Sequence, residues 1–127
     1  MNKRKVLVLG ASAKEERYSN KAIRSLLNNG FSVVAMGNKE GETHGVKIHK
    51  KISDVKNEIA TDELDTLTLY LGPNNQSELP SVIRELKPKR VIFNPGTENS
   101  DLYDLLESAK IPFEEACTLV LLNINEF

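Results

Sequence analysis

Four short apolar runs of this 127-residue chain end in turns whose residues suit the binding of a phosphorylated ligand. The turns are Gly10-Ala11-Ser12, Gly37-Asn38-Lys39, Gly72-Pro73-Asn74 and Asn94-Pro95-Gly96-Thr97-Glu98. Three carry a glycine directly after the run, and the fourth carries one inside its turn. Glycine lets a backbone or a ligand approach closely, and the N–H groups of such turns attract anions. Ser12 adds a hydroxyl, Lys14 and Arg17 follow the first turn ahead of Tyr18, and Lys39 lies in the second. Charge-assisted hydrogen bonding to phosphate is the chemistry these residues can do.

The departures from an ordinary dinucleotide site narrow that chemistry. The fingerprint of such a site is G-x-G-x-x-G, with an acidic residue at the end of the second strand for the ribose hydroxyls. Here only Gly10 is present, and the loop after it is long and charged: Lys14, Glu15, Glu16, Arg17. The second run closes with Met36-Gly37-Asn38-Lys39, which offers a cation and no carboxylate before Glu40. A lysine there suits a phosphorylated ribose, as in NADP or the 3′-phosphate of coenzyme A. Catalytic constellations are weaker. His44 and His49 have no carboxylate or cysteine at metal-ligand spacing. Ser12 lacks a G-x-S-x-G elbow. Glu98, Glu114 and Glu115 pair with no nucleophile, and Cys117, the single cysteine, reads as a small buried residue before an apolar run. The reading is of a binding protein rather than an enzyme.

The elements that must hold these turns alternate between strand and helix. Strands are expected over 5–9, 32–36, 65–71, 90–93 and 111–115, with a short extended piece at 46–48. Helices are expected over 20–29, capped by Ser19; after Ser53, carrying Val55 and Ile59; through Leu79, Val82, Ile83 and Leu86; and after Ser100, carrying Leu102, Leu105, Leu106 and Ala109. Residues 38–45 are polar and glycine-rich and read as a loop. The stretch 117–122 fits helix or strand, and offers either a closing edge of the sheet or a contact with a second copy or a partner protein. The order predicts an α/β fold: one domain over 1–127, a three-layer Rossmann-like open parallel sheet of about five strands. In such a sheet the ligand sits beyond the carboxyl ends of the strands, where the four turns lie.

Composition agrees with a small globular domain. The chain is 39% hydrophobic and 28% charged, with a net charge of −1, which gives no general attraction to nucleic acid or to an anionic membrane. No apolar run reaches the roughly 18 residues of a membrane span. The basic start, Met1-Asn2-Lys3-Arg4-Lys5, leads into a glycine turn rather than a cleavage site, so it reads as the approach to a strand and the protein as cytoplasmic.

Over nearly its whole length the chain resembles the small stand-alone coenzyme A-binding proteins, whose fold is that of the nucleotide-binding domain of the succinyl-CoA synthetase α subunit. The likeness is carried by Val8-Leu9-Gly10-Ala11-Ser12, Arg17-Tyr18-Ser19, the Gly37 turn, Asn94-Pro95-Gly96 with Glu98, and Ala116-Cys117-Thr118-Leu119. It implies coenzyme A or an acyl-CoA as the ligand. Gly10, Ala11 and Ser12 would lie against the pyrophosphate, with Arg17 and Tyr18 at the mouth of that loop. Gly37, Asn38 and Lys39 would meet the 3′-phosphate or ribose, Gly72 and Pro73 would bracket the cofactor, and Asn94, Pro95 and Gly96 would lie towards the pantetheine. The synthetase's phosphorylated histidine comes from a second domain that this chain lacks, so the resemblance implies binding without ligase chemistry. A small NAD(P)-binding enzyme or redox sensor on the same fold, and a regulatory partner subunit with a vestigial site, are the rival readings.

Overall fold

A computed structural model describes residues 4–127; Met1, Asn2 and Lys3, the start of the basic approach, lie outside the described residues. Among the described residues, seven strands form one sheet in the order β3-β4-β2-β1-β5-β6-β7. They are β1 (Lys5–Leu9), β2 (Ser32–Met36), β3 (Gly41–Thr43), β4 (Val46–His49), β5 (Thr66–Leu69), β6 (Arg90–Phe93) and β7 (Phe113–Glu115). Five helices flank them: α1 (Tyr18–Asn28), α2 (Ile52–Ile59), α3 (Leu79–Leu86), α4 (Ser100–Ser108) and α5 (Thr118–Asn123). A 3₁₀ turn, Pro73–Asn75, follows β5.

The expected five strands become seven because residues 41–49 form a hairpin. β3 lies in the stretch read as loop and pairs antiparallel with β4, while every other pairing in the sheet is parallel. The hairpin turn is His44-Gly45, both at positive φ (51° and 79°), the backbone of a type I′ two-residue turn. The hairpin therefore stands where a crossover helix would otherwise join β2 to β4.

The central strands are buried on both faces, as a parallel sheet covered by helices requires. Alternate residues of each strand face opposite layers. Leu7, Leu9, Val34, Met36, Leu67, Leu69, Val91 and Phe93 share one core with α2, α3 and α4. Val6, Val8, Val33 and Ala35 share the other with Ile23 and Leu26 of α1 and Leu122 of α5. The C-terminal stretch is thus helical, and it covers the sheet from the α1 side.

Several helix starts differ from expectation by a residue or two. α1 begins under Arg17 rather than Ser19, α2 under Lys51 rather than Ser53, and neither start has a side-chain cap. α4 is capped by Asn99, whose Oδ1 accepts from the Asp101 N–H at 3.1 Å, rather than by Ser100. Ser19 is buried inside the first turn of α1 and so is not available at its mouth.

The chain leaves β1 outward through β2, β3 and β4, then returns along α2 to β5 on the other side of β1. The switch point therefore lies between β1 and β5. Their carboxyl ends, with those of β2 and β4, form the rim where the candidate site lies.

Candidate functional site

Two of the four turns are locked together by contacts that only glycine permits. The N–H groups of Gly10 and Ala11 both donate to the Met36 carbonyl at 2.9 Å, and the Gly37 N–H donates to the His49 carbonyl at 2.9 Å. A Cβ on Gly37 would stand 2.3 Å from the Ala11 carbonyl oxygen. One on Gly10 would stand 2.9 Å from the backbone carbon of Tyr70, at a φ of +95° that side chains rarely adopt. The one glycine retained from the dinucleotide fingerprint is therefore required by strand-end packing. At Gly72 the nearest atom to such a Cβ is 4.0 Å away, so no protein contact demands glycine there.

Above these contacts lies a two-lobed crevice. The polar lobe, about 440 Å³, is lined by Gly10, Ala11 and Ser12 of the first turn, by Lys14 and Arg17 of its loop, and by Asn38 and Lys39 of the second turn. Tyr70, Leu71, Gly72 and Asn75 close it from β5 and the 3₁₀ turn. The second lobe, about 420 Å³, shares Gly10, Asn38, Leu71 and Asn75 with the first. Its apolar wall comes from Leu9, Met36, Leu71, Leu79 and Val82, and Ser77, Lys50 and Glu78 also line it. Three cations thus converge on one lobe while apolar side chains line the other, an arrangement suited to a ligand that carries phosphates beside an uncharged part.

Of the residues singled out from sequence, nine line these lobes: Gly10, Ala11, Ser12, Lys14, Arg17, Gly37, Asn38, Lys39 and Gly72. Tyr18 lies outside them, 69% exposed, with its ring 5.2 Å from the Lys21 ammonium. Pro73 opens the 3₁₀ turn without lining either lobe. The Asn94–Gly96 turn also lies outside them. Pro95 and Gly96 are exposed, and the Gly96 N–H donates to Glu98 Oε1 at 3.0 Å. Sequence reasoning missed Lys50, Leu71, Asn75 and Glu78. The signal for Lys50 was β4: once Val46–His49 is a strand, Lys50 is its carboxyl end.

Three buried carboxamides, of which only Asn94 was singled out from sequence, pin the rim from below. Asn94 Nδ2 donates to Thr68 Oγ1 (2.7 Å) and the Leu69 carbonyl (2.9 Å), and its Oδ1 accepts from the Thr118 N–H (2.8 Å). Gln76 Nε2 donates to the carbonyls of Leu71 and Thr97, both at 2.8 Å, and its Oε1 accepts from Asn99 Nδ2 at 2.9 Å. Asn20 Nδ2 donates to the Ser12 carbonyl (2.8 Å) and Thr43 Oγ1 (2.9 Å). In each case both N–H donors and the oxygen are used, so none of the three amides costs an unsatisfied buried group. Asn94 ties β5 and β6 to α5, and Gln76 ties the loop after β5 to the loop after β6.

Tyr70 contributes a wall of the polar lobe and a titration. Its hydroxyl is buried beside Thr68 and Thr118 without a well-formed hydrogen bond, and burial pushes its pKa up to about 12. The folded value lies above the unfolded one of about 10. The stabilisation is therefore complete below pH 10 and is lost as pH rises towards 12, by about 2–3 kcal/mol. Tyr103, raised to about 12 by burial and by its bond to Glu115, titrates in the same range. Urea unfolding followed from pH 8 to 12 is expected to show a decline above pH 10. Tyr70→Phe should reduce it and leave Tyr103's share; an unchanged decline would show Tyr70 free to ionise.

A family model described as "CoA binding domain" matches residues 4–123. The chain belongs to that family. CoA binding domain membership supports coenzyme A binding in general terms and accounts for the likeness read from Gly10-Ala11-Ser12 and the later turns. Among solved structures, that of an uncharacterized protein is 38% identical, covers 100% of both chains and superposes with a TM-score of 0.87. A conserved hypothetical protein from Pyrococcus furiosus is 25% identical, with 89% of this chain and 92% of that one covered and a TM-score of 0.73. A protein from Thermus thermophilus, at 20% identity, 98% and 91% coverage and a TM-score of 0.82, shares the fold. No curated protein matches the sequence. No helix among the described residues is long and apolar enough to cross a membrane.

Proposed function

We propose that the two-lobed crevice binds coenzyme A or an acyl-CoA and holds it without carrying out chemistry on it. The observation that carries this reading is the convergence of Lys14, Arg17 and Lys39 with Ser12 and the turn at Gly10 on a single lobe. Coenzyme A brings a 3′-phosphate and a pyrophosphate, and these residues fit both: the Ser12 hydroxyl from the first turn, whose Gly10 and Ala11 N–H groups are already taken by the Met36 carbonyl, and guanidinium and ammonium groups from the two loops. The pyrophosphate is assigned to Gly10, Ala11 and Ser12, with Arg17 and Tyr18 at the mouth of that loop. The 3′-phosphate or its ribose is assigned to Gly37, Asn38 and Lys39, and Gly72 and Pro73 bracket the cofactor. The pantetheine arm is assigned to the second lobe, beside Leu9, Met36, Leu79 and Val82, because the Asn94-Pro95-Gly96 turn lies outside both lobes with Asn94 buried. What this chain's own residues supply is orientation and charge; no nucleophile with a paired base faces the polar lobe.

Calorimetry with coenzyme A and 3′-dephospho-coenzyme A tests the assignment. Coenzyme A is expected to bind about tenfold more tightly, the value of one charge-assisted contact. Lys39→Ala should remove most of that difference while leaving the dephospho form unaffected. Equal or absent binding of the two forms takes the role from Lys39. Binding of NADPH that coenzyme A does not compete for moves the site to the nicotinamide class.

A further inference from the structure

We infer that the β3–β4 hairpin latches the phosphate loop in place through a hydrogen-bonded relay from His44 to Asn20 to Ser12, making Asn20 and His44 positioning residues of the site. The inference rests on the proposed ligand-bearing role of residues 10–17 and concerns residues that lie outside both lobes.

The direction of each bond follows from chemistry. Asn20 is buried, with 1% of its surface exposed. Its amide nitrogen faces two acceptors, the Ser12 carbonyl and the Thr43 hydroxyl. Its Oδ1 therefore faces His44 Nε2, 2.8 Å away. An amide oxygen only accepts, so Nε2 carries the proton and donates. On the loop side, Ser12 Oγ accepts from the Lys14 N–H at 3.1 Å, and the Gly10 and Ala11 N–H groups are held by Met36. The backbone from 10 to 14 is thus fixed at three points: β2, its own serine, and Asn20.

The hairpin explains why Asn20 can reach. The Thr43 hydroxyl that shares the amide nitrogen ends β3, and His44 is the first residue of the two-residue turn. At φ +51° the His44 backbone is strained for a non-glycine residue. That strain is tolerated where the side chain makes a fixed bond.

His44 is exposed, so it can be changed without opening a core. His44→Gly removes the side chain and suits the positive φ; His44→Gln restores a donor of similar reach. Two readouts are needed on the full chain: amide hydrogen exchange at Ala11 and Lys14, which needs no ligand, and the coenzyme A Kd. His44→Gly is expected to speed exchange at these amides about tenfold and weaken coenzyme A about fivefold, the scale of one lost hydrogen bond. The midpoint of unfolding should move by only a few degrees, and His44→Gln should recover both signals. Unchanged exchange in His44→Gly overturns the latch. Faster exchange with an unchanged Kd overturns the positioning role. If the unsubstituted protein binds no coenzyme A, the ligand assignment fails, and the exchange arm alone decides the latch: faster exchange upholds it and unchanged exchange overturns it.

Discussion

Gly37→Ala is expected to lower the unfolding midpoint by about 10 °C or more, the largest effect of any single methyl added to the rim. The added Cβ would stand 2.3 Å from the Ala11 carbonyl oxygen, well inside contact distance, and the oxygen belongs to backbone. Relief requires either the first turn or the β2 end to move. Both are held, since the Met36 carbonyl accepts from Gly10 and Ala11 and the Gly37 N–H is taken by His49. Overpacking against fixed backbone costs about 3 kcal/mol, and about 4 °C per kcal/mol is typical for a domain of this size. Gly72→Ala is the internal control. It lies on the same rim with open space around the added methyl, so its midpoint should stay within a degree or two of the unsubstituted protein. If Gly72→Ala nevertheless weakens coenzyme A, the ligand itself is what approaches Gly72. Thermal unfolding of the two variants side by side separates steric demand within the protein from demand by a ligand. A Gly37→Ala protein as stable as its parent would mean that the two turns are not packed as described.

The second large effect is at Asn94. Asn94→Ala removes three hydrogen bonds and leaves the Leu69 carbonyl and the Thr118 N–H short of partners, at a cost of about 3 kcal/mol. Asn94→Asp is the more informative change. One carboxylate oxygen can still accept from the Thr118 N–H, but the other replaces the N–H groups that now face the Leu69 carbonyl and the Thr68 hydroxyl. Ionised, it would lie buried against a carbonyl oxygen; protonated, it regains a donor. Its folded pKa should therefore exceed the unfolded value of about 3.9. A raised carboxyl pKa makes the folded state relatively more stable as pH falls. Asn94→Asp should accordingly be destabilised at pH 7 and recover part of the loss near pH 4, whereas Asn94→Ala should show no such recovery. Denaturant titrations at the two pH values check this, and a loss in Asn94→Asp that does not depend on pH would place the carboxylate in solvent.

Asn94 also shows where sequence reasoning stops. Its position at the carboxyl end of β6 was legible, because Val91-Ile92-Phe93 is an apolar, β-prone run with a Pro-Gly turn behind it. The direction of its side chain was not, since asparagine is equally at home in an exposed turn and under a rim. The same ambiguity hid Gln76 and Asn20, which look like surface residues until their partners from distant parts of the chain are in place. The β1, β2 and β6 strands could be read because parallel strands buried on both faces leave near-continuous apolar runs, and β5 because its alternating Thr-Leu pattern is closed by Gly72-Pro73. β3 could not, because Gly41-Glu42-Thr43 is a polar edge strand of three residues whose pairing comes from β4. The first helix start was misplaced because Ser19 looks like a cap, while the backbone already turns at Arg17. The four-turn rim came through because glycine at a strand end leaves a mark in sequence; only the structure separates Gly10 and Gly37, which the fold demands, from Gly72, which it does not.

The sheet ends on both sides in strands of three residues, and each outer strand carries exposed glutamate: Glu42 on β3, and Glu114 and Glu115 on β7. A net charge of −1 gives neighbouring molecules little mutual repulsion. Protection against edge-to-edge strand addition therefore rests with these two margins. Each is too short to template another chain, and each meets its counterpart with like charge, so copies approaching edge to edge find neither a long ladder nor a neutral one. In a concentrated solution, the edges of the sheet rather than the overall charge keep strand from adding to strand.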